Sequence, residues 1–231
     1  MVAVAEVGVK RGNMPALVTL TRKLGVACSL ALILPTLSLS APPEASRELD
    51  FVLGRRPDPG SGAKSYETCA ACHGSAGEGV NDGSVPAIAG QPLGVVAKQL
   101  VEFRAGTRVD SRMQHFADTT HLSYSQEIAN VASYISQLPP RDGSPPANDV
   151  LATRGAMLYL RKCERCHGTM AEGKEAGFAP RLAGQHAAYL MRQLEQTLAS
   201  ARPAMREAHA AVTGSLTHDD IAALVASLSS L

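Results

Sequence analysis

Five residues recur at a fixed distance, and that recurrence restricts the fold more than any other feature of the chain. Cys69-Ala70-Ala71-Cys72-His73 returns as Cys163-Glu164-Arg165-Cys166-His167, 94 residues later. The same shift carries Gly74 onto Gly168, Glu78-Gly79 onto Glu172-Gly173, Pro86 onto Pro180, Ala89-Gly90-Gln91 onto Ala183-Gly184-Gln185, Gln99-Leu100 onto Gln193-Leu194 and Arg108 onto Arg202. Solenoids repeat every 20–50 residues or so and in many copies, so two long copies mean two domains from one duplicated unit.

The spacing inside the motif has a chemical reading. On a helix, residues i and i+3 share a face, so two thiols so placed reach one edge of a flat macrocycle. The next residue, a histidine, then turns its imidazole under the ring. C-x-x-C-H is the attachment signature of a c-type haem, and two copies imply two covalently attached haem c groups. A zinc ribbon would hold its two C-x-x-C pairs roughly 15–20 residues apart. Here Cys72 and Cys163 are separated by 90 residues, and the strand–helix–strand context of a redox dithiol is missing. Composition agrees: aromatics make up 4% of the 231 residues and Trp is absent, so two buried porphyrins would supply apolar bulk that the side chains lack.

Each copy reads as helix, loop, helix, loop, helix, which makes the chain all-α. Asp58 is an N-cap with Pro59 behind it, and that helix runs to the first motif. Val96, Leu100 and Phe103 then share a helical face, followed by Ile128, Val131, Ile135 and Leu138. In copy two, Asn148 or Asp149 opens the first helix and Leu190, Leu194 and Leu198 mark the second. Thr217 with Asp220 forms a capping box for the third, where Ile221, Leu224, Val225 and Leu228 face inward. The domains are expected over 58–138 and 148–231, joined by the Pro/Gly-rich linker 139–147, and residues 41–57 are expected to be a linker arm.

Residues 1–40 read as an export signal. Arg22-Lys23 precedes an apolar run from Leu24 to Leu34, and small residues follow at Ser38, Ser40 and Ala41. An uncleaved membrane anchor is the alternative, weakened by Pro35 and several serines. Cys28 lies within this segment. Its removal leaves every remaining cysteine in a C-x-x-C-H motif and excludes a thiolate iron ligand. Net charge is +1, and nothing forms a nucleic-acid-binding footprint.

His73 and His167 are the expected proximal ligands. For the distal side the menu is Met, His or an open position. In copy one, Met113 stands alone in a polar loop, with His115 and His121 as competitors. In copy two, Met157, Met170 and Met191 sit where they would pack or fail to reach the iron. Met205 lies two residues short of the position matching Met113, with His209 as its rival. The shared segments from Val85-Pro86 to Gln91 and from Ala179-Pro180 to Gln185 would place a backbone carbonyl against each proximal imidazole.

Taken together, these residues resemble class I cytochromes c, and specifically the two-haem cytochrome c4 family, over about residues 58–230. The resemblance implies two tandem class I cytochrome c domains, with axial pairs His73/Met113 and His167/Met205. It implies that the carbonyls of Pro86 and Pro180 orient the histidines. It also implies a periplasmic electron carrier of a kind that is often membrane-associated, working between a membrane respiratory complex as donor and a terminal oxidase as acceptor. Copy two departs from the pattern at Ser200, at Ser227 and in the length of the Met loop. The expectation is a carrier that is not an enzyme. The alternatives are a haem c subunit of a membrane oxidoreductase complex or a two-haem enzyme such as a peroxidase.

Overall fold

The computed structural model describes residues 44–199 and 203–231. Helices α1 (Glu44–Leu53), α2 (Pro59–His73), α3 (Leu93–Arg104), α4 (Ser111–Phe116) and α5 (Ser125–Gln137) belong to the first copy. Helices α6 (Asp149–Lys162), α7 (Glu164–His167), α8 (Ala187–Leu198), α9 (Pro203–Thr213) and α10 (His218–Leu228) belong to the second. Among the described residues there is no strand, only an isolated bridge between Lys174 and Ala179.

Each copy is built on the crossing of its first and last helices. The Asp58 side chain accepts from the Gly60 amide at 3.0 Å and starts α2, with Pro59 at the first helical position. The Asp58 amide donates to Asn130 Oδ1 at 2.8 Å, tying that cap to α5. The helices then cross so closely that a Cβ on Gly62 would lie 2.1 Å from the Asn130 carbonyl oxygen. Copy two repeats the device: a Cβ on Gly155 of α6 would lie 1.9 Å from the Ala223 carbonyl oxygen of α10. Around the first crossing, Tyr66, Val101, Leu122, Ile128, Val131 and Ile135 form a core; around the second, Leu158, Tyr159, Leu190, Ile221, Leu224 and Leu228 do.

Three expectations change. The segment expected as a linker arm is folded over Glu44–Leu53: Val52 is buried in the first core, and Glu48 of α1 pairs with Arg104 of α3. Its Leu49 and Val52 share a face at i, i+3, a period too short to stand out in a ten-residue helix. Both expected Met loops are helical, α4 carrying Met113 and α9 carrying Met205. The uniform shift of 94 also fails along the first helix. Gly62-Ala-Lys-Ser-Tyr66 matches Gly155-Ala-Met-Leu-Tyr159 at a shift of 93. Copy two has one extra residue between Tyr159 and Cys163, absorbed by a break at Cys163 that ends α6 and begins α7.

Residues 139–147 contain no helix and run along copy two. The Ser144 amide donates to the Ser229 carbonyl at 2.9 Å, and Arg141 donates to the Gly184 carbonyl. The N-terminal segment read as a signal or anchor lies outside the described residues, as do Ser200 and Arg202.

Candidate haem sites and the seam between them

The C-x-x-C-H segments end helices, and what stops each helix also shapes the site. Gly74 and Gly168 follow the histidines at φ 81° and 88°, a conformation that L side chains rarely adopt. A Cβ there would meet the carboxylate of Glu78 or Glu172 at 2.3–2.4 Å. That carboxylate accepts a turn amide, Ala76 N at 3.0 Å for Glu78 and Met170 N at 2.8 Å for Glu172. The next residues, Gly79 and Gly173, donate their amides to the carbonyls of His73 and His167, both at 2.8 Å. The repeated Gly, Glu and Gly positions are thus one turn that reverses the chain behind each histidine.

The reversed chain brings a proline carbonyl to each imidazole. His73 Nδ1 donates to the Pro86 carbonyl at 3.0 Å, and His167 Nδ1 donates to the Pro180 carbonyl at 2.9 Å. Nδ1 is thereby committed, which leaves Nε2 as the nitrogen for a metal. Both imidazoles are buried, at 7% exposure each, and burial pushes their pKa values below the ordinary histidine range. A tyrosine braces each turn: Tyr66 Oη donates to the Gly74 carbonyl at 2.7 Å, and Tyr159 Oη donates to the Gly168 carbonyl. The one-residue slip hides this pair in sequence; searching at a shift of 93 would have found it.

The donor set fits covalently held haem. None of the four motif cysteines is paired in a disulfide; Cys69 and Cys163 are half-buried, and Cys72 and Cys166 are exposed. The Nε of Arg181, next to Pro180, is a buried donor without a hydrogen-bond partner, which suits an anionic group such as a porphyrin propionate. Cys69, Cys72 and His73 would hold one haem and Cys163, Cys166 and His167 the other.

On the distal side the two copies differ. Met113 is half-buried in the first turn of α4, which is capped by Asp110 accepting from the amides of Arg112 and Met113 at 3.1 and 3.3 Å. His115 and His121 pack their rings against each other at 4.6 Å and against Phe116 at 5.0 and 5.2 Å. In copy two, Met205 is half-buried on α9, and its backbone carbonyl accepts from His209 Nδ1 at 2.8 Å. The His209 ring stands 6.0 Å from the His167 ring, centroid to centroid, with the planes inclined by 29°.

The proline segments also form the seam between the copies. Gln185 accepts from the Ala87 amide at 3.0 Å and donates to the Ala87 carbonyl at 2.7 Å. Gln91 does the same to Arg181, at 3.0 and 2.9 Å. The shift of 94 maps one clamp onto the other, so the copies meet about an approximate two-fold axis. His186 Nε2 on the Glu78 carbonyl, Arg192 on the Gly83 carbonyl (both 2.8 Å) and Arg108 on Tyr189 Oη (2.9 Å) extend the seam. The repeat exposed these glutamines in sequence, but not that each serves the other copy.

Known proteins agree with this geometry. The cytochrome c family model matches residues 60–139 and again 152–231. The chain belongs to the cytochrome c family. Within it the chain is cytochrome c4-like, being 32% identical over 148 residues to cytochrome c4 of Thiocapsa roseopersicina, a match covering 60% of this chain and 73% of that one. It is 37% identical over 135 residues to the thiosulfate dehydrogenase electron acceptor of Stutzerimonas stutzeri, covering 54% of this chain and 61% of the relative. The crystal structure of reduced cytochrome c4 from Pseudomonas stutzeri superposes with a TM-score of 0.66 at 26% identity, covering 76% of this chain and all of that one. This cytochrome is a dihaem electron-transfer protein with two covalently bound haem c groups.

Proposed function

We propose that the protein is a periplasmic carrier that receives single electrons from a membrane respiratory complex or a sulfur-compound dehydrogenase. It passes them to a terminal oxidase or another acceptor protein, and transforms no substrate of its own. The observation that carries this reading is the pairing of two sites of one construction across one seam, where each proline segment touches both its own histidine and the other copy's glutamine. Such an arrangement supports passage between two centres. Iron cycling between ferrous and ferric states supplies the chemistry when haem is bound. The protein's part is to fix the imidazole planes, exclude water and keep the two sites in register.

In the first site the axial pair is His73 and Met113; in the second, His167 is met by a ligand from α9. Partners would dock transiently at an exposed haem edge, over a small interface. Among the described residues no helix is long and apolar enough to cross a membrane. A dehydrogenase donor is favoured by the likeness to a protein named as the electron acceptor of thiosulfate dehydrogenase, of whose length this chain spans 61%.

The test uses exported holoprotein, with haem counted by pyridine haemochrome and the mature mass measured. Mixed with a reduced donor, the protein is expected to take up one electron per haem and then stop. Sustained turnover with thiosulfate or peroxide and no partner would make it an enzyme. Purification only as a fixed component of a membrane complex would make it a subunit.

A further inference from the structure

We propose that His209, rather than Met205, is the distal ligand of the second haem, so that the two haems carry different axial pairs. The inference rests on haem attachment at Cys163 and Cys166 and deepens the carrier reading by giving the two sites unequal potentials.

The first argument is distance. Two imidazoles on opposite sides of one metal are separated by two bonds of about 2 Å and a ring radius of about 1 Å at either end, which puts their centroids roughly 6 Å apart. The rings of His167 and His209 stand 6.0 Å apart. An ordinary ring contact also falls within about 4.5–7 Å, so distance alone decides nothing.

The second argument is anchoring. A ligating histidine characteristically donates its other ring nitrogen to a carbonyl or carboxylate, which fixes the ring and its tautomer. His73 and His167 do so through Nδ1 to Pro86 and Pro180, and His209 does so through Nδ1 to the Met205 carbonyl at 2.8 Å. On both sides of the second site, then, Nε2 is the nitrogen that a metal would take. The bond also fixes the role of Met205: its backbone orients the histidine one helical turn on.

The third argument is the contrast with copy one. The shift of 94 maps His115 onto His209, yet His115 is exposed and its ring is engaged with Phe116 and His121. Among the described residues no aromatic ring is paired with that of His73. Copy one keeps its half-buried methionine for the distal position, and copy two presents an imidazole.

Methionine ligation raises a haem potential relative to a second imidazole. The second haem is therefore the lower-potential centre, and downhill flow runs from copy two to copy one. A donor is expected to dock on copy two and an acceptor on copy one.

The test is spectroscopic, on oxidised holoprotein. The ferric Met–iron charge-transfer band in the far red should have half the per-haem intensity of a two-Met protein. Low-temperature electron paramagnetic resonance should resolve one His/Met and one bis-histidine low-spin signal. Met205→Leu should leave both signals unchanged. His209→Ala should abolish the bis-histidine signal, leaving a high-spin haem or a second Met–iron band. Full band intensity in the wild type, or loss of half the band in Met205→Leu, would overturn the assignment. Pyridine haemochrome counts haem whatever its axial ligands, so a failure of attachment is distinguished from a failure of the ligand assignment.

Discussion

Gly155→Ala sets two well-characterised effects against each other. Inside a helix, alanine is better than glycine by about 1 kcal/mol, so on propensity alone the variant would be more stable. Packing opposes this. The new Cβ would lie 1.9 Å from the Ala223 carbonyl oxygen and 2.4 Å from its carbonyl carbon, against 3.4–4 Å for ordinary contact. Both atoms are backbone of α10, and no side-chain rotation relieves the clash. Helices α6 and α10 must separate by more than an ångström along the crossing that carries Leu158, Ile221 and Leu224. Overpacking of this kind costs about 1–3 kcal/mol, and a clash with backbone belongs at the upper end. The net expectation is destabilisation of copy two by about 1–2 kcal/mol after the propensity gain. Urea unfolding of the holoprotein, followed by far-ultraviolet circular dichroism, should show a lower midpoint for the copy-two transition. With a slope of about 1–3 kcal/mol per molar, the fall is on the order of 1 M. Gly62→Ala should do the same to copy one, where the Asn130 carbonyl oxygen is 2.1 Å from the new carbon. An unchanged or raised midpoint would refute the close-crossing argument and leave propensity as the deciding term.

Removing the Tyr159 hydroxyl as Tyr159→Phe deletes the bond to the Gly168 carbonyl and should cost about 0.5–1.5 kcal/mol, read in the same unfolding experiment. Asp58 should contribute a pH-dependent cap. Its carboxyl is held below the usual range, chiefly by hydrogen bonds from Ser61 and the Gly60 amide. With the folded pKa depressed, the cap's stabilisation is present above the unfolded value and is lost as pH falls through the folded one. Asp58→Asn keeps a capping oxygen and should flatten that acid limb of the stability curve; an unaltered limb would count against the cap. Replacing Gln91 and Gln185 together by leucine removes four seam bonds. Hydrogen exchange should then rise at the Ala87 and Arg181 amides in both copies while α2 and α10 stay protected.

Much of this architecture could be read from residue spacing, because the constraints involved are local. Two thiols and an imidazole within five residues need only a helix to converge, and Asp58, Asn148 and Thr217 cap the helices they precede because the capping partners are two or three residues away. The repeat extended this to a second domain at no further cost. It failed where the helix could absorb a change: one added residue before Cys163 was taken up by a break in the backbone, which shifted Gly155 and Tyr159 out of step with their counterparts. Helix α1 is not legible in the sequence because it gains its stability from Val52 and Glu48 meeting the first core and α3, and the Glu48–Arg104 pair spans 56 residues.

The sequence by itself determined that two haems are attached, through Cys69, Cys72, His73, Cys163, Cys166 and His167, and that the chain is helical and duplicated. Those are properties of residue type at short range. Tertiary structure alone decided which atoms complete each site. A carbonyl 13 residues from its histidine reaches Nδ1 only after the Gly–Glu–Gly turn has reversed the chain. Gln91 and Gln185 serve each other's copies because the two-fold seam brings together residues 90 or more positions apart. The choice between Met205 and His209 was open in sequence because both are plausible ligands lying four residues apart in one stretch. The proposal for His209 rests on tertiary contacts made along α9, where its ring stands 6.0 Å from that of His167 and its Nδ1 donates to the Met205 carbonyl.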